Sequence, residues 1–274
     1  MKKVEVFNSI GEFMDKINSR PENEYYKGHS LSSKEGSEKF TGTKDYEEAE
    51  KLFAGGWKAG KKYLSNMTEG KKAFAPTPRY IRQRTVAGGR INMSALIAGS
   101  DRVFMRRKKM LKDSMNPVIN VYYAITAPSF VKKSDLAIYA GRLFSAVRNL
   151  ENEGYKIELY MGFTAQDGND QVASLIKVKS SNEALSELKM LYPVVHPSFM
   201  RRHNFRWLET TPIINKHYFG YGYFVDQKEL KELANKSGKK IQAAISVYHA
   251  IQNNFSVSDF EESIKKQRAE VVKI

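Results

Sequence analysis

The stretch of chain after Pro117 constrains the fold more than any other part of the sequence. Residues 118–125 form an almost continuous apolar run of β-branched and aromatic side chains, which is typical of a strand buried on both faces. Apolar residues then recur at helical spacing over 136–150, and Gly154 stands where a helix often ends. A second strand-like run follows at 155–161. This order predicts the strand–helix–strand unit of a layered α/β sheet.

The rest of the second half continues the alternation of strands and helices. A turn at 166–168 leads to another strand at 172–178, and this close pair is expected to be antiparallel. Further strands are predicted at 218–224 and 241–248, with helices between and after them. We therefore expect residues 117–274 to form an α/β domain with a mostly parallel sheet flanked by helices.

The first 116 residues have a different pattern. Ser9 and Glu12 have capping-box spacing ahead of an apolar helix face, and Thr43 can cap another helix. Residues 69–90 contain proline and glycine residues that indicate irregular structure. We expect residues 1–116 to be a basic, mostly helical or irregular region that packs on the α/β domain.

Residues 118–160 resemble part of a von Willebrand factor A-like domain, in which a central strand leads to a long helix, a second strand and a short antiparallel edge strand. The segment at 150–159 looks like the helix-to-strand corner of that family. Segments at 43–57, 87–99 and 196–202 are similar to a large family of tailed-phage proteins. The resemblance implies an A-like fold and a phage protein that acts in the cytoplasm of an infected bacterium.

The chain departs from the metal-binding pattern of A-like domains. Those domains carry Asp-x-Ser-x-Ser after the central strand, but residues 124–129 read Ala-Ile-Thr-Ala-Pro-Ser and contain no carboxylate. Thr126 and Ser129 alone are a poor Mg²⁺ site, so we expect no metal and no cofactor. Asp226 could take the place of a distal acidic ligand, but a helix N-cap is the favoured interpretation. The resemblance implies that Thr126, Ser129 and Asp226 are candidates for contact with a protein partner.

Net charge gives the first indication of a ligand. The chain carries 45 Lys and Arg against 30 Asp and Glu, a net charge of +15, and residues 1–116 hold 24 of the basic and 14 of the acidic side chains. Such a balance favours polyanionic partners such as nucleic acid, although a lysine-rich surface without a specific ligand would give the same composition.

Three basic clusters are candidates for phosphate contacts, with aromatic residues nearby that can stack on bases. The other interpretations are a structural strap for the first cluster, a solvated helix face for the second, and arginines that pair with Glu209 or another acid, beside core residues such as Trp207, for the third. The residues concerned are Arg79, Tyr80, Arg82 and Arg84, then Arg106, Arg107, Lys108 and Lys109, then Arg201 and Arg202.

Sequence motifs give little support to catalysis. The chain has no cysteine, no H-E-x-x-H, no G-x-S-x-G and no Walker A motif, and no run of 18 apolar residues that would span a membrane. We therefore expect a non-catalytic binding protein that contacts nucleic acid. The alternative is a protein-interaction module acting on a host or phage factor, for example in counter-defence or replication. A hydrolase is the less favoured third possibility.

Overall fold

A computed structural model describes residues 1–21, 29–34, 36–69, 80–109, 118–211, 221 and 223–271. The strands are β1 (Lys2–Phe7), β2 (Tyr80–Thr85), β3 (Arg90–Ile91), β4 (Phe104–Lys109), β5 (Val118–Ala124), β6 (Lys156–Gly162), β7 (Thr164–Asp167), β8 (Asp170–Lys179) and β9 (Ile241–Ser246). The helices are α1 (Ile10–Ser19), α2 (Ser37–Thr41), α3 (Tyr46–Gly55), α4 (Leu64–Glu69), α5 (Met93–Ile97), α6 (Lys133–Asn152), α7 (Glu187–Val195), α8 (Phe205–Thr210), α9 (Gln227–Asn235), α10 (Val247–Gln252) and α11 (Val257–Val271). 3-10 helices lie at His29–Leu31 and Lys58–Tyr63, and a π-helical turn at Phe199–Asn204 runs directly into α8.

The larger sheet has the order β1-β8-β6-β5-β9, with β7 paired to β8. Strand β5 is parallel to both β6 and β9, and β1 is parallel to β8, whereas β8 is antiparallel to β6 and β7. The expected α/β architecture with a mostly parallel sheet is confirmed, as is the antiparallel pairing around the predicted turn. Strand β8 is not a short edge strand, because it has ten residues and β1 covers it.

The central strand is buried on both faces, as its apolar run predicts. Val121 and Tyr123 belong to a large apolar cluster that includes Leu143 of α6. Tyr122 faces a second cluster that includes Leu230 of α9. Each fully buried side chain of this size stabilises the fold by roughly 1.5–3 kcal/mol. Helices therefore pack on both sides of β5.

The N-terminal residues contribute more to this sheet than the sequence predicted. The predicted helix is present as α1, and its N-cap Ser9 accepts a hydrogen bond from Glu12 N at 3.0 Å. Strand β1 precedes α1 and was not predicted, because its alternation includes charged residues such as Lys3 and Glu5. Phe13 of α1 is fully buried in the large cluster. The domain boundary at 116/117 stays a prediction, although β1 and α1 share the core of the C-terminal part.

Residues 80–109 form a second, smaller structure that we call the basic module. Its three strands pair antiparallel in the order β2-β4-β3, and α5 lies between β3 and β4 in the chain. The expectation of irregular structure over 69–90 is wrong for 80–85, which form β2. Among residues 84–106, whose side chains the structure describes, none belongs to either apolar cluster.

Two further observations complete the fold. Most of the predicted strand at 218–224 lies outside the described residues, and Tyr223 makes a single antiparallel bridge to Gln166. In the part of the chain that the structure describes, no helix is both long and apolar enough to cross a membrane.

Candidate nucleic-acid interface and a cationic cavity

Two of the three predicted basic clusters come together in the basic module. Strands β2 and β4 are neighbours, and their register places Arg82 opposite Arg107 and Gln83 opposite Arg106. Arg79 lies outside the described residues. The structure gives the backbone register alone for Tyr80, Arg82, Arg107, Lys108 and Lys109. The second cluster is part of a strand and is not the helix face that one interpretation expected.

The module concentrates positive charge on exposed side chains. Residues 80–109 contain eight basic residues and one acidic residue, Asp101, which is a net charge of +7 out of +15 for the whole chain. Arg84 and Arg106 are exposed. Arg90 and Arg102 are exposed as well, and neither belongs to a basic cluster in the sequence, because no Lys or Arg stands next to either of them. None of these four arginines forms an ion pair with an acidic residue that the structure describes.

Apolar side chains are exposed on the same module. They lie in β3 and α5 and in the turn before β3, and the most exposed of them is Ile97, at 83%. The others are Val86, Ile91, Met93 and Leu96. The module therefore offers both cations and apolar groups to a partner.

The third basic cluster has a different environment, and the nucleic-acid assignment of Arg202 is wrong for this fold. Arg202 is fully buried, so it cannot reach a nucleic acid. Its guanidinium donates to the carbonyl oxygens of Ser30 (2.8 Å), Ser32 (2.6 Å), Thr43 (2.8 Å) and Lys44 (3.1 Å), and to the Thr43 hydroxyl. Burial lowers the pKa of Arg202, and the ring of oxygen acceptors satisfies its donors. Arg202 is thus a strap that holds the N-terminal segment on the π-helical turn.

Glu209, the acid that one interpretation paired with the arginines of this region, pairs with Arg206 and not with Arg201 or Arg202 in the described structure. Glu209 is fully buried and accepts hydrogen bonds from Ser30 N at 2.8 Å and from the Ser30 and Tyr221 hydroxyls. It also lies 3.8 Å from the Arg206 guanidinium. Arg202 is therefore held by carbonyl oxygens, whereas the Glu209 carboxylate is held mainly by hydroxyl and amide donors.

Arg201 points into a cavity of about 460 Å³ at the carboxyl end of β5. The guanidinium stacks over the Phe40 ring at 4.5 Å and donates to the carbonyl oxygens of Phe40 (2.6 Å) and Pro128 (3.4 Å). Three lysines also line the cavity, and no Asp or Glu lines it among the residues that the structure describes. The four cations are Lys39, Lys132, Lys133 and Arg201.

The three residues predicted to contact a protein partner do not form one site. Ser129 lines the cavity. Thr126 is buried beneath it, where its hydroxyl accepts from Thr164 N at 2.8 Å. Asp226 is the N-cap of α9, because its carboxylate accepts from Lys228 N at 2.8 Å. The helix-cap interpretation of Asp226 is confirmed, and Asp226 does not line the cavity.

A buried polar network supports the wall of the cavity. Ser198 N donates to His196 Nδ1 at 3.2 Å, and the Tyr192 hydroxyl lies 2.9 Å from Ser198 Oγ and 3.1 Å from His203 Nε2. Burial, together with the nearby charge of Lys133, lowers the pKa of His196 to about 3. Burial also lowers the pKa of His203 to about 3. Both rings are therefore neutral at neutral pH.

Burial keeps this network from acting as a catalytic site in this conformation. Ser198 Oγ lies 2.5 Å from His196 Nδ1, as in a nucleophile–base pair, but Ser198 is fully buried and has no path to a substrate. Among the described residues, no three His, Asp or Glu side chains come close enough to hold a metal ion.

Comparison with known proteins gives a family but no function. Neither the search of curated proteins nor the search of solved structures gives a match to this chain. One family model, described as "Domain of unknown function (DUF7192)", matches residues 2–268. The matched residues run from β1 into α11 and include the basic module and the residues that line the cavity. The chain therefore belongs to the DUF7192 family.

Proposed function

We propose that this protein is a non-catalytic nucleic-acid-binding protein and that the basic module is its contact surface. The observation that carries the proposal is the net charge of +7 on residues 80–109, with four exposed arginines that no described acid neutralises. Cations that lack a protein partner are free to neutralise phosphates and release the counterions that surround them.

The form of the module also supports this proposal. Its basic residues lie on adjacent antiparallel strands and near their ends, and the register places Arg84 and Arg90 on one face of the small sheet and Arg106 on the other, so that both faces carry positive charge. A surface of this kind suits the phosphate backbone of a strand or duplex, which is an extended row of charges. Binding is expected to depend strongly on salt and little on base sequence.

We also propose that the sheet domain has an A-like fold. The succession of β5, α6 and a parallel β6 supports this assignment, whereas β8 is longer than the edge strand that the resemblance implies and is covered by β1. From the separate similarity of segments 43–57, 87–99 and 196–202 to tailed-phage proteins, we infer that the protein is of phage origin and acts in the cytoplasm of an infected bacterium.

The test is the affinity for a labelled single strand and its duplex, measured by fluorescence anisotropy at low salt. Replacement of Arg84, Arg90, Arg102 and Arg106 by Ala is expected to weaken binding about ten-fold or more, because four phosphate contacts are lost. The matched control replaces four exposed lysines near α9, which removes the same charge: Lys231, Lys236, Lys239 and Lys240. The proposal fails if the wild type does not bind, or if both variants lose affinity equally.

A second candidate function is contact with a protein partner through the apolar part of the module. The exposed side chains of Met93 and Ile97 favour it, because monomeric proteins seldom leave several large apolar residues together in solvent. If no oligonucleotide binds at low salt, the module is expected to serve such a partner. Co-purification of the partner from infected cells should then be lost when Met93 and Ile97 are replaced by Asp, and kept in the control with Lys236→Ala.

A further inference from the structure

The cavity at the carboxyl end of β5 holds positive charge that the described protein does not neutralise. Lys39, Lys132, Lys133 and Arg201 line it, and no described carboxylate does. Burial lowers the pKa of Lys133, and the nearby cations Lys62 and Arg201 lower it further. An anion in the cavity would relieve the repulsion that Lys133 experiences from these cations.

Two side chains of the wall are built into the fold and retain donors for which the described residues supply no oxygen or nitrogen acceptor. Arg201 is only 8% exposed and has no carboxylate partner among the described residues, and its contacts with two carbonyl oxygens use two of its five N–H donors. His196 is 5% exposed and accepts from Ser198 N at Nδ1, so its neutral ring carries the proton on Nε2. Its Nε2–H has no oxygen or nitrogen acceptor among the described residues, and the ring packs edge-on against Trp57 with the ring centroids 4.6 Å apart.

The position of α6 adds to the positive potential. The helix has 20 residues, begins at Lys133, and has no side-chain cap at its N-terminus. Lys132, Lys133, Ser134 and Leu136, which surround this helix start, line the cavity. A helix N-terminus favours negative charge, and here it acts in the same direction as the four cations.

The remaining walls are apolar or aromatic. Ile125, Val131, Leu136 and Met200 line the cavity together with the Tyr63 ring. The volume of about 460 Å³ is within the range of small-molecule sites. The cavity thus combines room for a flat or apolar body with several donors for a multiply charged group.

We propose that this cavity binds a phosphate monoester of mononucleotide size, with the phosphate on Lys132, Lys133 and Arg201. A monoester carries nearly two negative charges at neutral pH, which matches an excess of cations better than a carboxylate does. The phosphate comes either from a free nucleotide or from the 5′ end of a nucleic-acid strand. The site stands on observations separate from those that support the basic module.

Calorimetric titration with AMP, adenosine and inorganic phosphate tests the site. AMP is expected to bind at least about ten-fold more tightly than adenosine, because charge-assisted hydrogen bonds to the phosphate carry the affinity. The variant Lys132→Ala/Lys133→Ala is expected to weaken AMP binding about ten-fold or more with little change in Tm. The control Lys236→Ala/Lys239→Ala should change it less than about two-fold. The variant Arg201→Ala also loses the hydrogen bonds to the carbonyl oxygens of Phe40 and Pro128, which can destabilise the fold. If that variant does not fold, the AMP affinity of the lysine variant tests the proposal.

Two further titrations separate the sources of phosphate and the two proposals. A 5′-phosphorylated strand that binds more tightly than its 5′-hydroxyl form, with the difference lost in Lys132→Ala/Lys133→Ala, identifies a strand end. Equal binding of the two strands together with binding of AMP identifies a free nucleotide. The four-arginine variant of the basic module should bind AMP as tightly as the wild type does. A negative result for nucleic-acid binding by the module therefore does not contradict the proposed phosphate site. Equal affinity for AMP and adenosine, or no binding of AMP and of the phosphorylated end, overturns the proposal.

Discussion

The arginines of the basic module and those of the π-helical turn look alike in the sequence but have opposite environments in the structure. Arg84 and Arg106 are exposed and make no ion pair with a described acid, whereas Arg202 is fully buried. Four carbonyl oxygens accept from Arg202, and they come from a segment about 160 residues away in the chain. A cluster of basic residues therefore indicates a ligand only where the fold does not supply acceptors of its own.

The largest effect that separates the two regions is expected from removal of a buried arginine. Arg202→Ala leaves four carbonyl oxygens without their donor and creates a cavity, so the free energy of unfolding should fall by about 3–5 kcal/mol. Arg84→Ala, at an exposed position, should change it by less than about 0.5 kcal/mol. Urea unfolding of both variants measures the difference. Equal stabilities would mean that Arg202 is not a strap.

Acid should destabilise the core through its buried histidines. The pKa of His203 is about 3 in the folded protein against 6.5 ordinarily, so the unfolded chain binds more protons between these values and stability falls as the pH drops through this window. Between pH 7.5 and pH 5, His203 alone should cost about 2 kcal/mol of the free energy of unfolding.

The variant His203→Phe checks this expectation, because it keeps an aromatic ring against Tyr192 and Phe199 but cannot titrate. Its loss of stability between pH 7.5 and pH 5 should be smaller than that of the wild type by about 2 kcal/mol. His249→Gln, at an exposed position, is the control and should keep the wild-type pH dependence. An unchanged dependence in His203→Phe would contradict a neutral buried ring.

A smaller effect is expected from a glycine that lets the strands of the basic module approach one another. Gly89 has φ of +90°, and a Cβ there would lie 2.3 Å from the Met105 carbonyl oxygen. Gly89→Ala should therefore disturb the pairing of β3 with β4 and weaken nucleic-acid binding by several-fold, at a cost of roughly 1–3 kcal/mol to the module. The unfolding midpoint of the core should stay close to that of the wild type. Gly88→Ala, with open space around its Cβ, is the milder control, and equal effects of the two would contradict the close approach.

The parts of the fold that could be predicted are those with a strong local pattern. The apolar run of β5, the helical spacing of α6 and the turn before β8 identify their elements, and the capping residues Ser9 and Asp226 were correctly placed. Strand β1 was missed because it lies at the edge of the sheet, where its apolar residues are interspersed with charged ones such as Lys3 and Glu5. Strand β2 was missed because the prolines before it and the glycines after it are typical of irregular structure, and the strand between them is short.

The candidate sites were predictable only in part, for a physical reason. Clusters of Arg and Lys are visible in the sequence, and two of them do meet in the module. The acceptors that satisfy Arg202 are backbone carbonyls, which every residue carries, so no sequence pattern identifies them. The cavity escaped prediction because Lys39, Lys133, His196 and Arg201 are brought together from distant segments.

The salt dependence of nucleic-acid binding tests the central claim most directly. The logarithm of the association constant for a duplex should fall linearly with the logarithm of the salt concentration, with a slope of about −0.9 for each phosphate contact. Loss of Arg84, Arg90, Arg102 and Arg106 should reduce the magnitude of that slope by about 3 to 4, and the four-lysine control should leave it unchanged. A slope that stays at the wild-type value after all four arginines are replaced would contradict the account.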